Sequence, residues 1–265
     1  MIKIHEFNHE ARQLLSFSPL QYMFDAVSEK PQLSEIYIDG EVNPKSCALL
    51  LGHYLFLNKA EESFITQLFA TVFTEEKQKE LGALIIFYDD DGTAELIKKY
   101  FRKVYDNTRS VYRYNPVQTD NKRGDTDIKR GDFVVPITEE LINSDLENIE
   151  MITQEVLGTA TYDNMKAFCQ NGIGYTFVDQ KRICAFCTSE YPSKSAVAIG
   201  IEVDAKHQRQ GVATEMTQAF LKKALSRKLN VYWECWKSNE ASVQTALKCG
   251  FEKVADYPVL FVDMN

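Results

Sequence analysis

The chain has 265 residues, room for about two domains of ordinary size. Apolar residues make up 45% and charged residues 26%, a globular composition that excludes a disordered chain, a collagen and a disulfide scaffold. With 38 acidic against 30 basic residues and a net charge of −8, a general grip on nucleic acid is disfavoured, although a local basic patch escapes that argument.

The opening run Met1-Ile-Lys-Ile-His-Glu-Phe-Asn-His-Glu turns acidic before any apolar region develops, so no signal peptide is expected. Ile2 to Phe17 reads as helix, and Pro19 permits a new start at Leu20 to Ser28. Ser34 to Asp39 and Cys47 to Leu57 read as strands. The second is the longest apolar stretch, but Gly52 and His53 interrupt it and it falls short of the ~20 residues of a membrane helix. Lys59 to Thr74 carries a helical stripe, Ala83 to Tyr88 a short buried strand, Thr93 to Tyr105 another helix, and Arg109 to Tyr114 a strand. Together these predict an α/β layer. Asp89-Asp90-Asp91-Gly92 lacks the dozen-residue spacing of a Ca²⁺ loop and reads as a helix N-cap. His5 and His9 stand four apart on the first predicted helix, as metal ligands can, but no third ligand is signalled. The first half offers architecture without chemistry.

Gln118 to Asp132 (QTDNKRGDTDIKRGD) contains a single apolar residue, Ile128, and reads as a polar linker or exposed loop. Its two Arg-Gly-Asp triplets are expected to be solvated turns. The domain organisation is therefore 1–117 as an N-terminal α/β domain, 118–132 as the joint, and 133–265 as a second domain. The six cysteines sit mostly in apolar runs and read as reduced core thiols of a cytoplasmic protein.

In the second half, Phe133 to Ile137 is a predicted strand and Thr138 caps a helical region that continues intermittently to about Phe168. Gly174 to Val178 and Arg182 to Ser189 are strands meeting at Asp179-Gln180-Lys181, and Ala196 to Val203 is a third. A loop, Asp204 to Gly211, then leads into a long helix with apolar residues at 212, 216, 220 and 224. Gly211 stands at the opening turn, and Val212, Ala213 and Thr214 would present amides with no intrahelical acceptor. Such amides at the positive end of a helix dipole suit a pyrophosphate. No Gly-Lys-Ser/Thr follows, which argues against nucleotide triphosphate hydrolysis. Val231 to Trp236 is the next strand, and Asn239-Glu-Ala-Ser opens a helix ending at Gly250-Phe251.

Gln208-x-x-Gly211-x-Ala213 after a strand resembles the acetyl-CoA pyrophosphate loop of the GNAT superfamily of N-acetyltransferases. Asn239, 28 residues after Gly211, followed by a short helix and Gly-Phe, resembles the superfamily's second hallmark. Tyr232-Trp-Glu-Cys-Trp and Asn-Glu-Ala-Ser are similar to the branch that includes zwittermicin-resistance acetyltransferases, which tends to carry an extra N-terminal domain. The resemblance covers roughly Phe133 to Asn265. It implies a mixed, splayed central sheet, an α/β fold with α+β character, and acetyl-CoA as cosubstrate with no metal. Ile201 and Val203 would pair with the pantetheine arm, and the Val203 amide would polarise the thioester carbonyl. Gln208, Arg209, Gln210, Gly211, Val212, Ala213 and Thr214 would hold the pyrophosphate and adenosine side, with Asn239 and Ser242 near pantetheine. Lys206, Arg209, Lys222 and Lys223 give the region a local positive cast.

Acetyl transfer to an amine needs a neutral amine and a proton for the departing thiolate. Glu202 and Glu234 are the candidate catalytic acids, although strand register alone does not orient either. The tyrosine that many family members place seven residues after the asparagine falls at Ala246, which leaves water, Ser242 or no dedicated acid. Cys235 reads as a core thiol, as does the pair Cys184-x-x-Cys187, and His207 as part of the phosphate loop. Trp233 and Trp236 read as core aromatics, with Trp236 also able to stack on a cation. The expected function is N-acetylation of a small-molecule amine, with no nucleic acid or membrane partner and the oligomeric state open. A non-catalytic acyl-CoA sensor and a scaffold are the competing readings.

Overall fold

The computed structural model describes residues 1–116, 133–159 and 161–264. The polar segment 118–132, with both Arg-Gly-Asp triplets, lies outside the described residues. The chain forms two compact units, Met1–Arg109 with Asp256–Asn265, and Ser110–Ala255.

In the first unit the elements are β1 (Ile2–Ile4), α1 (His9–Leu14), α2 (Gln21–Glu29), β2 (Ser34–Ile38), β3 (Cys47–Leu51), β4 (Tyr54–Leu57), α3 (Glu62–Thr71), α4 (Glu75–Leu81), β5 (Ala83–Tyr88) and α5 (Asp91–Lys98). β6 (Val104–Tyr114) leads into the second unit. There follow β7 (Val134–Pro136), α6 (Glu139–Ile142), α7 (Ile149–Gly158), α8 (Met165–Asn171), β8 (Gly174–Asp179), β9 (Arg182–Glu190), β10 (Ala196–Val203), α9 (Val212–Ser226), β11 (Asn230–Trp236) and α10 (Glu240–Lys248). β12 (Phe251–Asp263) returns the chain to the first unit. The result is a mixed α/β protein built on mixed parallel and antiparallel pairing. Among the described residues no helix is long and apolar enough to cross a membrane.

The first unit departs from its sequence reading at several ends. Ile2 to Phe17 is not one helix: Ile2 and Ile4 flank Lys3 in a strand that pairs antiparallel with β2, Ile2 opposite Ile38. Asn8 then starts α1, its side chain accepting the Ala11 amide, so His5 and His9 do not share a helix. Cys47 to Leu57 is a hairpin, because Gly52 at φ +55° allows a two-residue turn. The helix at 59–74 contracts to α3, and α4 (EEKQKEL) has no apolar stripe to announce it; Thr74 caps it by accepting the Lys77 amide. The helix expected at Thr93 to Tyr105 is α5, which starts earlier and stops at Lys98, before β6 begins at Val104. Asp90 accepts the Gly92 and Thr93 amides, the N-cap expected of the acidic turn.

Strands run in the order β1-β2-β3-β4-β5-β12 in this unit. Only β4 and β5 pair in parallel among its described pairs, because α3 and α4 cross over between them. Phe24 of α2 meets Phe56, and Phe56 stacks on Phe87. A second cluster joins Leu50, Leu57 and Ile86 to Phe64, Ile65 and Leu68 of α3 and to Leu260 and Val262 of β12.

In the second unit β7, β8, β9 and β10 are successive antiparallel neighbours, and β10 and β11 are parallel. Gln180 and Lys181, at φ +48° and +63°, form the β8–β9 turn. Val212, Met216, Phe220 and Ala224 of α9 pack with Val197, Val231 and Trp233 in one core cluster. Ile152, Val156 and Phe168 pack with Ile183 and Phe186 in another.

β12 was not anticipated, since Glu252, Lys253, Asp256 and Pro258 break its apolar pattern. Its end, Val259 to Asp263, pairs antiparallel with β5. Residues 118–265 expressed alone would therefore expose an apolar edge. They are expected to aggregate or to melt well below the full chain; a monomer on size exclusion with the full-chain Tm would contradict this.

Candidate functional site

β10 and β11 pair at Ala196 with Asn230, Val197 with Val231 and Ala198 with Tyr232, and there the pairing stops. Both strands continue, to Val203 and to Trp236. β10 stays paired with β9 past that point, from Ala198 opposite Glu190 to Val203 opposite Ala185. The Asp204 amide donates to the Cys184 carbonyl at 2.9 Å on that same side. Backbone polar groups of a strand alternate between its two edges. Ile201 and Val203 accordingly turn theirs toward β11, beyond its last pair with β10. The Val203 carbonyl accepts a hydrogen bond from Gln208 Nε2 at 3.1 Å, tying the strand end to the loop.

That loop ends at Gly211, whose φ of +88° is left-handed, and Arg209 is left-handed too at +59°. A Cβ added to Gly211 would meet nothing within 4 Å; torsion rather than crowding calls for glycine there. α9 starts with no side-chain cap, and Glu215 is the first residue to bond back, its amide donating to the Gly211 carbonyl at 3.0 Å. Among the described residues the Val212, Ala213 and Thr214 amides have no partner. Glu215 Oε2 is buried beside them without a hydrogen bond, in the turn where the helix dipole favours negative charge. Gln210 Nε2 donates to the Lys206 carbonyl, and Lys206, Arg209, Lys222 and Lys223 are exposed. A left-handed alanine costs about 1–2 kcal/mol. Gly211→Ala is expected to lose that much stability in urea denaturation, and an unchanged midpoint would show that the turn relaxes.

Asn239 and Ser242 are built into the fold. Asn239 Oδ1 accepts the Ser242 amide at 3.1 Å as the N-cap of α10, and Ser242 Oγ accepts the Trp233 indole N–H at 3.0 Å. Trp233 is only 2% exposed in the core, whereas Trp236 is half-buried. Cys235 is a buried thiol, as expected. Ala246 is wholly buried in the cluster beneath α9 and α10. Cys249, whose thiol burial pushes up to about 11, meets the Thr217 and Thr214 hydroxyls. Ala246→Tyr would overpack this cluster, and a loss of about 1–3 kcal/mol in denaturant stability is expected; a variant as stable as the parent would mean that α10 can shift outward.

The register orients the two candidate acids. Ala198 lies opposite Tyr232, and paired residues share a face, so Ala198, Gly200 and Glu202 lie with Tyr232, Glu234 and Trp236. Ile201, Val203, Trp233 and Cys235 occupy the other face, toward α9. Glu202 is exposed and Glu234 half-buried. Two further acids share their face: a Cβ on Gly200 would collide with the Glu190 carboxylate and approach Glu155 Oε1 at 3.1 Å. Sequence reading passed over Glu155 and Glu190, which come from α7 and the far end of β9. A glycine inside an apolar strand was the available signal.

His207, expected in the phosphate loop, stands between two carboxylates. Its Nδ1 lies 2.6 Å from Asp204 Oδ1 and its Nε2 lies 3.4 Å from Asp179 Oδ2. The site thus combines an open strand edge, a helix start with unpartnered amides, and an acidic face.

A sequence model described as GNAT acetyltransferase matches residues 20–260 of the chain. A GCN5-related N-acetyltransferase-like protein from Streptococcus suis 89/1591 has a similar fold, with a TM-score of 0.69 at 15% identity over 95% of this chain and 97% of that one. A putative GNAT-family acetyltransferase from Novosphingobium aromaticivorans aligns with a TM-score of 0.55 at 12% identity, over 93% of this chain and 99% of that one. A GCN5-related N-acetyltransferase from Kribbella flavida gives 0.53 at 12%, over 96% and 95%. At these identities the likeness concerns the fold. Comparison with curated proteins finds no match.

Proposed function

Because the chain belongs to the GNAT acetyltransferase family, we propose that it is an acetyl-CoA-dependent N-acetyltransferase acting on a primary amine of a small molecule by direct attack in a ternary complex. The observation that carries this reading is the end of β10–β11 pairing at Ala198 and Tyr232 beside a helix whose first amides are unpartnered. The residues fit the cosubstrate. An extended pantetheine arm can take the place of a missing strand along Ile201 and Val203, and the amides of Val212, Ala213 and Thr214 suit a pyrophosphate. Gln208, Arg209, Gln210 and Gly211 shape that loop. Asn239 and Ser242 border it through the α10 cap rather than as free side chains.

The thioester supplies an activated acetyl group: the amine nitrogen bonds to its carbonyl carbon as the C–S bond breaks, the amine losing a proton and the thiolate gaining one. The Val203 amide faces the gap and is placed to donate to a developing oxyanion. Glu202 and Glu234 share the face an amine would approach and are assigned to hold or remove its proton, directly or through water. Ala246 offers no acid, so the thiolate takes its proton from water or from the Ser242 hydroxyl. Within the family we place the chain with the zwittermicin-resistance branch, on Tyr232-Trp-Glu-Cys-Trp and Asn-Glu-Ala-Ser, and in the cytoplasm, on its reduced cysteines. The burial of Ala246 supports one second reading, a sensor that binds acyl-CoA without turnover.

Calorimetric titration of acetyl-CoA and free coenzyme A separates these. Wild type is expected to bind both at micromolar affinity. Gly211→Asn keeps a residue that tolerates left-handed torsion while filling the space above the loop, and is expected to bind at least tenfold more weakly. Turnover on a panel of amines, reduced at least tenfold in Glu202→Gln or Glu234→Gln with coenzyme A affinity retained, supports the enzyme. Binding without turnover leaves the sensor, and no binding by wild type removes both.

A further inference from the structure

Four polar side chains that the acetyl-transfer reading does not use converge at one end of the β8–β9–β10 sheet. Cys184 stands near the start of β9, Asp204 just past β10, His207 one turn into the loop, and Asp179 at the end of β8. One donor atom each from Cys184, Asp204 and His207 lies within 4.8 Å of the other two. The Cys184 residue is 2% exposed, and the His207 and Asp204 side chains are 17% and 22% exposed. The backbone fixes the arrangement: the Asp204 amide donates to the Cys184 carbonyl, and the His207 amide donates to Asp204 Oδ1 at 3.0 Å.

We propose that Cys184, Asp204 and His207 form a binding site for one zinc(II) ion, with Asp179 holding the imidazole from its far side. The donor set is a thiol, a carboxylate and an imidazole, the three ligand types that zinc accepts, and three protein ligands leave a fourth tetrahedral position for water. Zinc-bound donors about 2.0–2.3 Å from the metal stand roughly 3.4–3.6 Å apart. The His207 Nδ1 to Asp204 Oδ1 separation of 2.6 Å must open by less than an ångström to admit the ion between them. The imidazole is already presented as a metal-bound histidine is, its other nitrogen 3.4 Å from Asp179 Oδ2 and its ring against Phe177. A carboxylate behind the ligating histidine fixes ring orientation and raises its basicity. Burial, and then the negative Asp204, raise the Cys184 thiol above its ordinary value. A dication reverses that balance, and binding releases the thiol proton while the imidazole keeps its proton on Nε2, toward Asp179. Cys187, three residues on, is fully buried away from this cluster and is not a ligand. The ion would join β9 to the loop that ends at Gly211.

The test uses the full chain, stripped with chelator, and titrates zinc(II) by calorimetry and cobalt(II) by absorption. Wild type is expected to bind one ion, release protons in proportion, and give a cobalt spectrum with thiolate charge-transfer intensity. Cys184→Ser should lose that intensity and bind at least tenfold more weakly. Asp179→Asn, which leaves all three ligands in place, should keep the intensity while weakening affinity about 10-fold or more. Far-ultraviolet dichroism of each variant shows whether it folds. Saturable binding that Cys184→Ser and Asp179→Asn leave unchanged, or a cobalt spectrum without thiolate intensity, overturns the site. No binding by wild type overturns it also and reduces the cluster to a histidine–carboxylate pair that holds the loop.

Discussion

The break in pairing between β10 and β11 is the constraint on which the rest of the site depends. Three residue pairs hold the strands together, after which their pairing ends, although β10 remains laddered to β9 as far as Val203. A strand edge inside a sheet ordinarily has a partner, because an unpaired amide or carbonyl away from water costs about as much as a lost hydrogen bond. Here Ile201 and Val203 keep such an edge, and only part of it is satisfied internally, through Gln208 on the Val203 carbonyl. An extended ligand with amide groups of its own is the natural complement to that edge.

The same strand end sets up the helix. β10 delivers the chain into a loop with two left-handed residues, Arg209 and Gly211, and the loop turns it directly into α9. The apolar side of α9 is committed to the core through Met216, Phe220 and Ala224, which fixes the direction of its first-turn amides. No side chain caps them. The open strand edge and the positive helix end therefore arise from one continuous path.

Much of this path was legible. Apolar spacing marked α9, glycine marked its start, and an asparagine marked α10, each from residues within one or two turns of one another. The expected roles of Asn239 and Ser242 were read less completely, since the α10 cap and the Trp233 indole occupy them. The first unit was read less well at its ends. β1 resembled helix because a three-residue strand shows its nature only in pairing, and α4 was invisible because it buries no apolar residue. β12 was hidden by charges at positions that face solvent.

The sequence by itself determined the order of strand, phosphate-type loop, helix, strand and asparagine-capped helix, because torsional preference, capping and periodicity are local properties of the chain. Tertiary structure alone decided that Glu202 and Glu234 share a face with Glu155 and Glu190, and that Cys184 meets His207 and Asp204. Both outcomes depend on pairing register between separate strands, where a shift of one residue reverses every side chain.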